Sequence, residues 1–174
     1  MTRVMLSLTA LLLGVSSVFY SVDAQGSIED YIYEDVPAMR DFKAYQEILK
    51  EGDNEAHKLS ITARSSVMLK DKTYPAAKMR DEYDRIKECG APELMRDDDK
   101  ALIVFTENPD TCFPYLMRFD YDRWLVDLYV MKAIYVVQPE GRWTIKPKVD
   151  NHPYAFGFQR FKHRKGDEII YKGK

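Results

Sequence analysis

The apolar residues of this chain change their period once, near Gly90, and that change limits what it can fold into. Before Gly90 they recur every three or four positions, the spacing of a helix with one buried stripe. Beyond it they alternate, the spacing of strands with one buried face. Pro37 suits a first helical turn, and Met39, Phe42, Tyr45 and Leu49 form a stripe that Gly52 ends. Asp53 is a good N-cap for a second helix, on which Ala56, Leu59, Ala63 and Val67 predict the buried face. Thr73-Tyr74-Pro75 breaks the pattern, and Ala76 to Glu88 resumes it with Met79, Tyr83 and Ile86 on one side.

The second half reads as sheet. Leu102 to Phe105 is a short apolar run and Asn108-Pro109-Asp110 a turn. Phe113, Tyr115, Met117, Phe119 and Tyr121 then alternate with other residues, predicting a strand with those five side chains on its buried face. Asp122-Arg123 turns the chain into Trp124 to Lys132, a strand apolar on both faces. Ile134 to Val137 and Trp143 to Ile145 flank the turn Pro139-Glu140-Gly141, and Tyr154, Phe156 and Phe158 predict a last strand. Three helices followed by mostly antiparallel strands make an α+β fold, with the helices on one face of a curved sheet. No internal repeat or low-complexity segment interrupts residues 37–161, which read as a single domain.

The first 24 residues read as a cleavable export signal. Arg3 precedes an apolar run from Val4 through Leu13, and Val22-Asp23-Ala24 places the cut before Gln25. Ser7 and Thr9 interrupt that run, Ser16 and Ser17 follow it, and it is short for a membrane span of about 20 residues, so no span is expected after signal removal. Residues 25–36 form an acidic, tyrosine-containing lead, and 162–174 a charged, largely basic tail. A net charge of −2 implies neither a polyanion binder nor a strongly acidic decoy, and export removes nucleic acid from reach. Cys89 and Cys112 are the two cysteines, and in an oxidising compartment such a pair predicts a disulfide. The bridge would join the end of the third helix to the strand opening at Phe113, across a Pro- and Asp-rich linker from Leu94 to Asp110.

Two stretches carry a resemblance. Phe42 to Leu59, with its helix ending in Lys50-Glu51-Gly52-Asp53 and running on into Glu55-Ala56, is similar to the opening of proteins with the nuclear transport factor 2 fold. Asp122-Arg123-Trp124-Leu125-Val126-Asp127-Leu128 resembles the turn, tryptophan and strand near the end of that fold. The likeness spans about Pro37 to Ile145; the aromatic segment and basic residues after Lys146 depart from it. It implies a cone-like α+β domain, in which enzymes of the fold use Asp, His or Tyr groups projecting into an apolar cavity. Such a cavity shifts carboxylate pKa values by desolvation.

Asp127, Asp120, Tyr129, Tyr115 and His57 are the candidates for such chemistry. Each has a plainer reading. His57, beside Glu55 and Lys58, reads as a solvated helix residue, and Asp120 and Asp122 as turn residues. Asp127, mid-strand among apolar neighbours, reads more often as a paired carboxylate on the open sheet face than as a base. Tyr115, Met117, Phe119 and Trp124 are the expected ligand-binding residues, on the aromatic strands. His152 and His163 have no metal-ligand spacing, and Asp97-Asp98-Asp99 lacks the Gly and distal Glu of a helix-loop-helix calcium loop, so neither metal nor cofactor is expected. Arg160, Lys162, His163, Arg164 and Lys165 offer a basic stretch for a partner or an anionic envelope surface.

No nucleophile elbow, phosphate loop or Cys-His pair is present. The expected function is therefore an exported, non-catalytic module of the cell envelope that binds an apolar small molecule or an envelope protein, with a homodimer through the open sheet face as one form. A small-molecule isomerase, dehydratase or hydrolase using a cavity carboxylate is the second reading, and a periplasmic immunity or inhibitor protein the third.

Overall fold

A computed structural model of the chain describes residues 36–69, 74–138, 141–146, 152–159, 161–163 and 169–171. The export signal, its cut before Gln25, the acidic lead up to Asp35, Arg160 and the side chains of the basic tail lie outside the described residues.

Helix α1 (Pro37–Glu51) starts on its proline and buries Ala38, Met39, Phe42, Tyr45 and Leu49, the stripe read from sequence. Gly52 ends it at φ 75°, and its amide donates to the Ile48 carbonyl at 3.0 Å. A side chain there would be strained by the backbone and would also meet Ala76 Cβ at 2.8 Å. Asp53 then caps α2 (Asn54–Leu59), accepting from the amides of Glu55 and Ala56 at 2.9 and 3.1 Å, a cap worth about 1 kcal/mol.

The expected continuous second helix is corrected here. It stops at Leu59 and restarts as α3 (Ala63–Leu69), because Ser60-Ile61-Thr62 leaves the helix to pair in parallel with the sheet. The Thr62 amide donates to the Val126 carbonyl and the Val126 amide to the Ser60 carbonyl, both at 3.0 Å. The Ser60 carbonyl and the Thr62 amide thus satisfy Val126 on the β4 edge that faces away from β3. Leu59 and Val67 are 63% and 72% exposed while His57, Thr62 and Ser65 are buried, so the expected stripe does not face the core. Helix α4 (Ala76–Glu88) buries Met79, Glu82 and Ile86 and packs against α1.

Strands β1 (Pro92–Asp97), β2 (Lys100–Phe105), β3 (Tyr115–Asp120) and β4 (Arg123–Val126) form an antiparallel sheet in sequence order. The first of them lies in the segment read as a linker. Its partner β2 is buried from Ala101 through Phe105, so the apolar run fixed β2 while the half-exposed β1 gave little signal. Asp98 turns that hairpin at φ 49°; Asp99 bonds the Lys100 ammonium, and the Arg118 guanidinium approaches its carboxylate at 3.9 Å. The β3–β4 turn falls on Tyr121 and Asp122, both at positive φ, one residue earlier than expected. Tyr115 and Met117 are buried, but Phe119 is 42% exposed and Tyr121 is exposed. Helix α1 covers β4, where the Trp124 amide donates to the Asp41 carboxylate at 2.8 Å.

The expected strand from Trp124 to Lys132 ends after Val126. Asp127 caps a helix instead, α5 (Leu128–Ile134), with its carboxylate accepting from the Val130 amide at 3.2 Å. The hairpin of β5 (Tyr135–Val137) and β6 (Trp143–Ile145) turns at Gly141 as expected. Trp143 is fully buried between Tyr135 and Phe161, and its indole donates to the Pro109 carbonyl at 2.7 Å. The aromatic segment read as the last strand is a single helical turn, α6 (Ala155–Phe158), after which β7 (Phe161–His163) and β8 (Ile169–Tyr171) pair within the stretch read as a tail. Gly157 lies against the Leu102 side chain, where no Cβ would fit without displacing it. The chain is thus α+β, and Cys89, at the end of α4, is disulfide-bonded to Cys112 with Cα atoms 5.7 Å apart.

Candidate functional site

The polar centre of this fold is a residue the sequence reading passed over. Glu82 lies three residues after Met79 and four before Ile86, on the face of α4 that turns inward, and it is buried with them. A carboxylate there needs donors, since an unpaired buried charge is costly. Three phenols supply them: Tyr115 from β3 and Tyr45 from α1 donate to Oε1 at 2.8 and 3.1 Å, and Tyr74, just before α4, donates to Oε2 at 2.7 Å. Hydrogen bonds to a charged acceptor contribute about 1.5–3 kcal/mol each, so the cluster ties α1, α4 and β3 together.

Burial first, and the Glu82 charge second, hold the Tyr45, Tyr74 and Tyr115 phenols well above the ordinary tyrosine range. They are protonated donors at any physiological pH. His57 completes the cluster. Its ring stacks on Tyr74, with centroids 5.2 Å apart and planes 14° apart, and tilts against Tyr45 at 5.7 Å. It is 1% exposed, and its Nε2 has no hydrogen-bond partner among the described residues. Burial lowers its pKa, with partial compensation from Glu82. The expectation of a solvated His57 is thereby corrected: the imidazole faces inward, where its ring packs against Tyr45 and Tyr74.

Glu82 and Tyr74 also face a pocket of about 340 Å³ between α3, α4, α5 and β5. Its apolar wall comes from Met68, Leu69, Phe113, Leu128, Met131 and Tyr135; Arg85 and Lys132 add positive charge. Arg85 lies one turn along α4 from Glu82, with its guanidinium 4.9 Å from the Phe113 ring centroid. The hollow is concave and mostly apolar, with a few convergent polar groups, features that small-ligand sites share.

The residues named from sequence fall into several places. Tyr115 joins the Glu82 cluster. Asp127 is buried as the cap of α5 and accepts from the Thr62 hydroxyl at 3.3 Å; Thr62 Oγ1 lies 2.7 Å from Ser65 Oγ, which accepts from the Tyr129 amide at 3.0 Å. Asp127 is therefore neither mid-strand nor on an open sheet face. Tyr129 is exposed, with the Arg64 guanidinium 5.3 Å from its ring centroid, beside a second shallow hollow that includes Val67. Asp120 lies opposite Arg123 across the β3–β4 turn. Met117 and Trp124 are buried in the core and Phe119 packs on Trp124, with ring centroids 5.4 Å apart. The pocket wall described above contains none of Tyr115, Met117, Phe119 and Trp124; Phe113, two residues before β3, and Tyr135 of β5 line it instead. His152 is half-buried against Tyr154, and the side chain of His163 lies outside the described residues. Among the described residues no three His, Cys, Asp or Glu side chains gather as metal ligands.

Fold and site together define an α+β domain, tied by one disulfide, with an apolar pocket flanked by a tyrosine-bonded glutamate. No family model, curated protein or solved structure matches the chain.

Proposed function

We propose that this chain is an exported, non-catalytic binding module of the cell envelope, and that its ligand is a small, largely apolar molecule held between α3, α4 and α5. The observation that carries the reading is the pocket of about 340 Å³, a size and lining that suit a small ligand. The Cys89–Cys112 disulfide supports export, since such bonds persist in oxidising compartments. Among the described residues no helix is long and apolar enough to cross a membrane, which is compatible with a role outside the bilayer. A cone-like arrangement of the nuclear transport factor 2 kind belongs to the same proposal; α1 packed on β4 is compatible with it, as with other α+β layers.

Binding is favoured over catalysis by the state of the carboxylates. Both Glu82 oxygens accept phenolic hydrogens, and Asp127 is engaged in a helix cap, so neither is poised to take a proton from a substrate. The test is titration with an apolar fluorescent probe such as phenylnaphthylamine. The disulfide-bonded protein is expected to bind one equivalent, and Leu128→Trp, which fills the pocket from a half-buried position, to weaken binding at least about ten-fold. Equal binding by both proteins would move the site elsewhere.

A further inference from the structure

The charges around the pocket define the class of ligand. Glu82 brings one negative charge, but three phenols already share its oxygens, leaving little acceptor capacity for a guest. Arg85 and Lys132 bring two positive charges; the Tyr115 hydroxyl engages the Arg85 guanidinium and Glu82 attracts it, yet its five N–H donors exceed what one phenol oxygen can accept, and Lys132 forms no ion pair among the described residues. A guanidinium resting over an aromatic ring retains N–H donors for a planar acceptor, and a carboxylate is the acceptor whose geometry matches it. The rest of the wall is hydrocarbon, thioether and aromatic ring, from Met68, Leu69, Phe113, Leu128 and Met131. A volume of about 340 Å³ lies at the small end of ligand sites, too small for a two-chain lipid.

We infer that the pocket takes a small amphipathic monocarboxylate, its carboxylate on Arg85 with Lys132 nearby and its hydrocarbon body against α3 and α5. The inference rests on the binding reading above and adds the sign and geometry of the head group. Burying the body supplies affinity, at about 25 cal/mol per Å² of apolar surface, and the guanidinium supplies discrimination.

Isothermal titration of the disulfide-bonded protein with decanoate, decanol and decyltrimethylammonium separates the two contributions. Decanoate is expected to bind at least ten-fold more tightly than decanol, and the cationic amphiphile more weakly than either. Arg85→Gln should abolish the preference for decanoate over decanol; Arg85→Lys should retain part of the preference, and Lys132→Gln should weaken decanoate about three-fold. Circular dichroism and urea unfolding of each variant, run beside the titrations, show that it is folded. Equal binding of decanoate and decanol by the wild-type protein, or a preference that survives Arg85→Gln, overturns the carboxylate inference and leaves the pocket standing. Absence of binding by all three compounds overturns both.

Discussion

His57 occupies a place where taking up a proton is costly. Its ring is enclosed by Tyr45 and Tyr74, its Nε2 is unpartnered among the described residues, and burial outweighs the attraction of Glu82, so its pKa falls below the ordinary value. In the unfolded chain the same imidazole titrates near about 6.5. Between the lowered folded value and about 6.5 the unfolded state holds more protons, so stability rises with pH through that window. Stability is full above about 6.5 and is lost as pH falls through the folded pKa. Burial shifts His152 in the same direction, so the measurement must be a difference. Urea unfolding of wild type and His57→Gln across this range is expected to show the stability difference moving against wild type as pH falls; a difference independent of pH would remove His57 as its source. At this scale sequence reading was uneven. Tyr115 was named, and Tyr45 was placed on the buried stripe, but Glu82 was missed although it shares a face with Met79 and Ile86. A carboxylate on an apolar helix face, in a chain with 12 Tyr, was the available signal.

At the scale of elements, Asp127 decides whether the chain continues as strand or begins a helix. The residues after it satisfy both periods. Alternation of Trp124, Val126, Leu128 and Val130 suggests strand, while Leu128, Met131, Ile134 and Tyr135 recur as helix. The carboxylate resolves the choice by accepting the Val130 amide, and it also receives the Thr62 hydroxyl beside the point where Ser60-Ile61-Thr62 joins β4. Asp127→Ala should therefore cost about 1–2 kcal/mol from the lost cap, with Asp127→Asn recovering most of it, as measured by denaturant unfolding. An Ala variant as stable as wild type would show that α5 is held by packing alone. The same ambiguity recurs at α6, where Tyr154, Phe156 and Phe158 alternate but the chain forms one helical turn, with Gly157 close against Leu102.

Across the whole molecule, the Cys89–Cys112 bridge links the end of α4 to the approach to β3, the elements that carry Glu82 and Tyr115. It encloses β1 and β2 in a loop with a sequence separation of 23 residues, for which the chain-entropy model gives about 3 kcal/mol. Cys89→Ser and Cys112→Ser should each lower the unfolding free energy by about 2–4 kcal/mol, and the double variant should be no worse than either, because one bond is lost in all three. Two reactive thiols in the native protein would contradict this. The sequence by itself determined the α+β class, the stripe of α1, the end of α1 at Gly52 and the cysteine pairing, since each rests on local periodicity, backbone conformation or the presence of a single pair. Only the tertiary structure decided which face of α2 turns inward, where the strand after Trp124 gives way to helix, and how Glu82, Arg85 and Lys132 come to flank one pocket. Those outcomes depend on Ile61 meeting Val126 and on three tyrosines from separate segments reaching one carboxylate, contacts between residues far apart in the chain that no local pattern encodes.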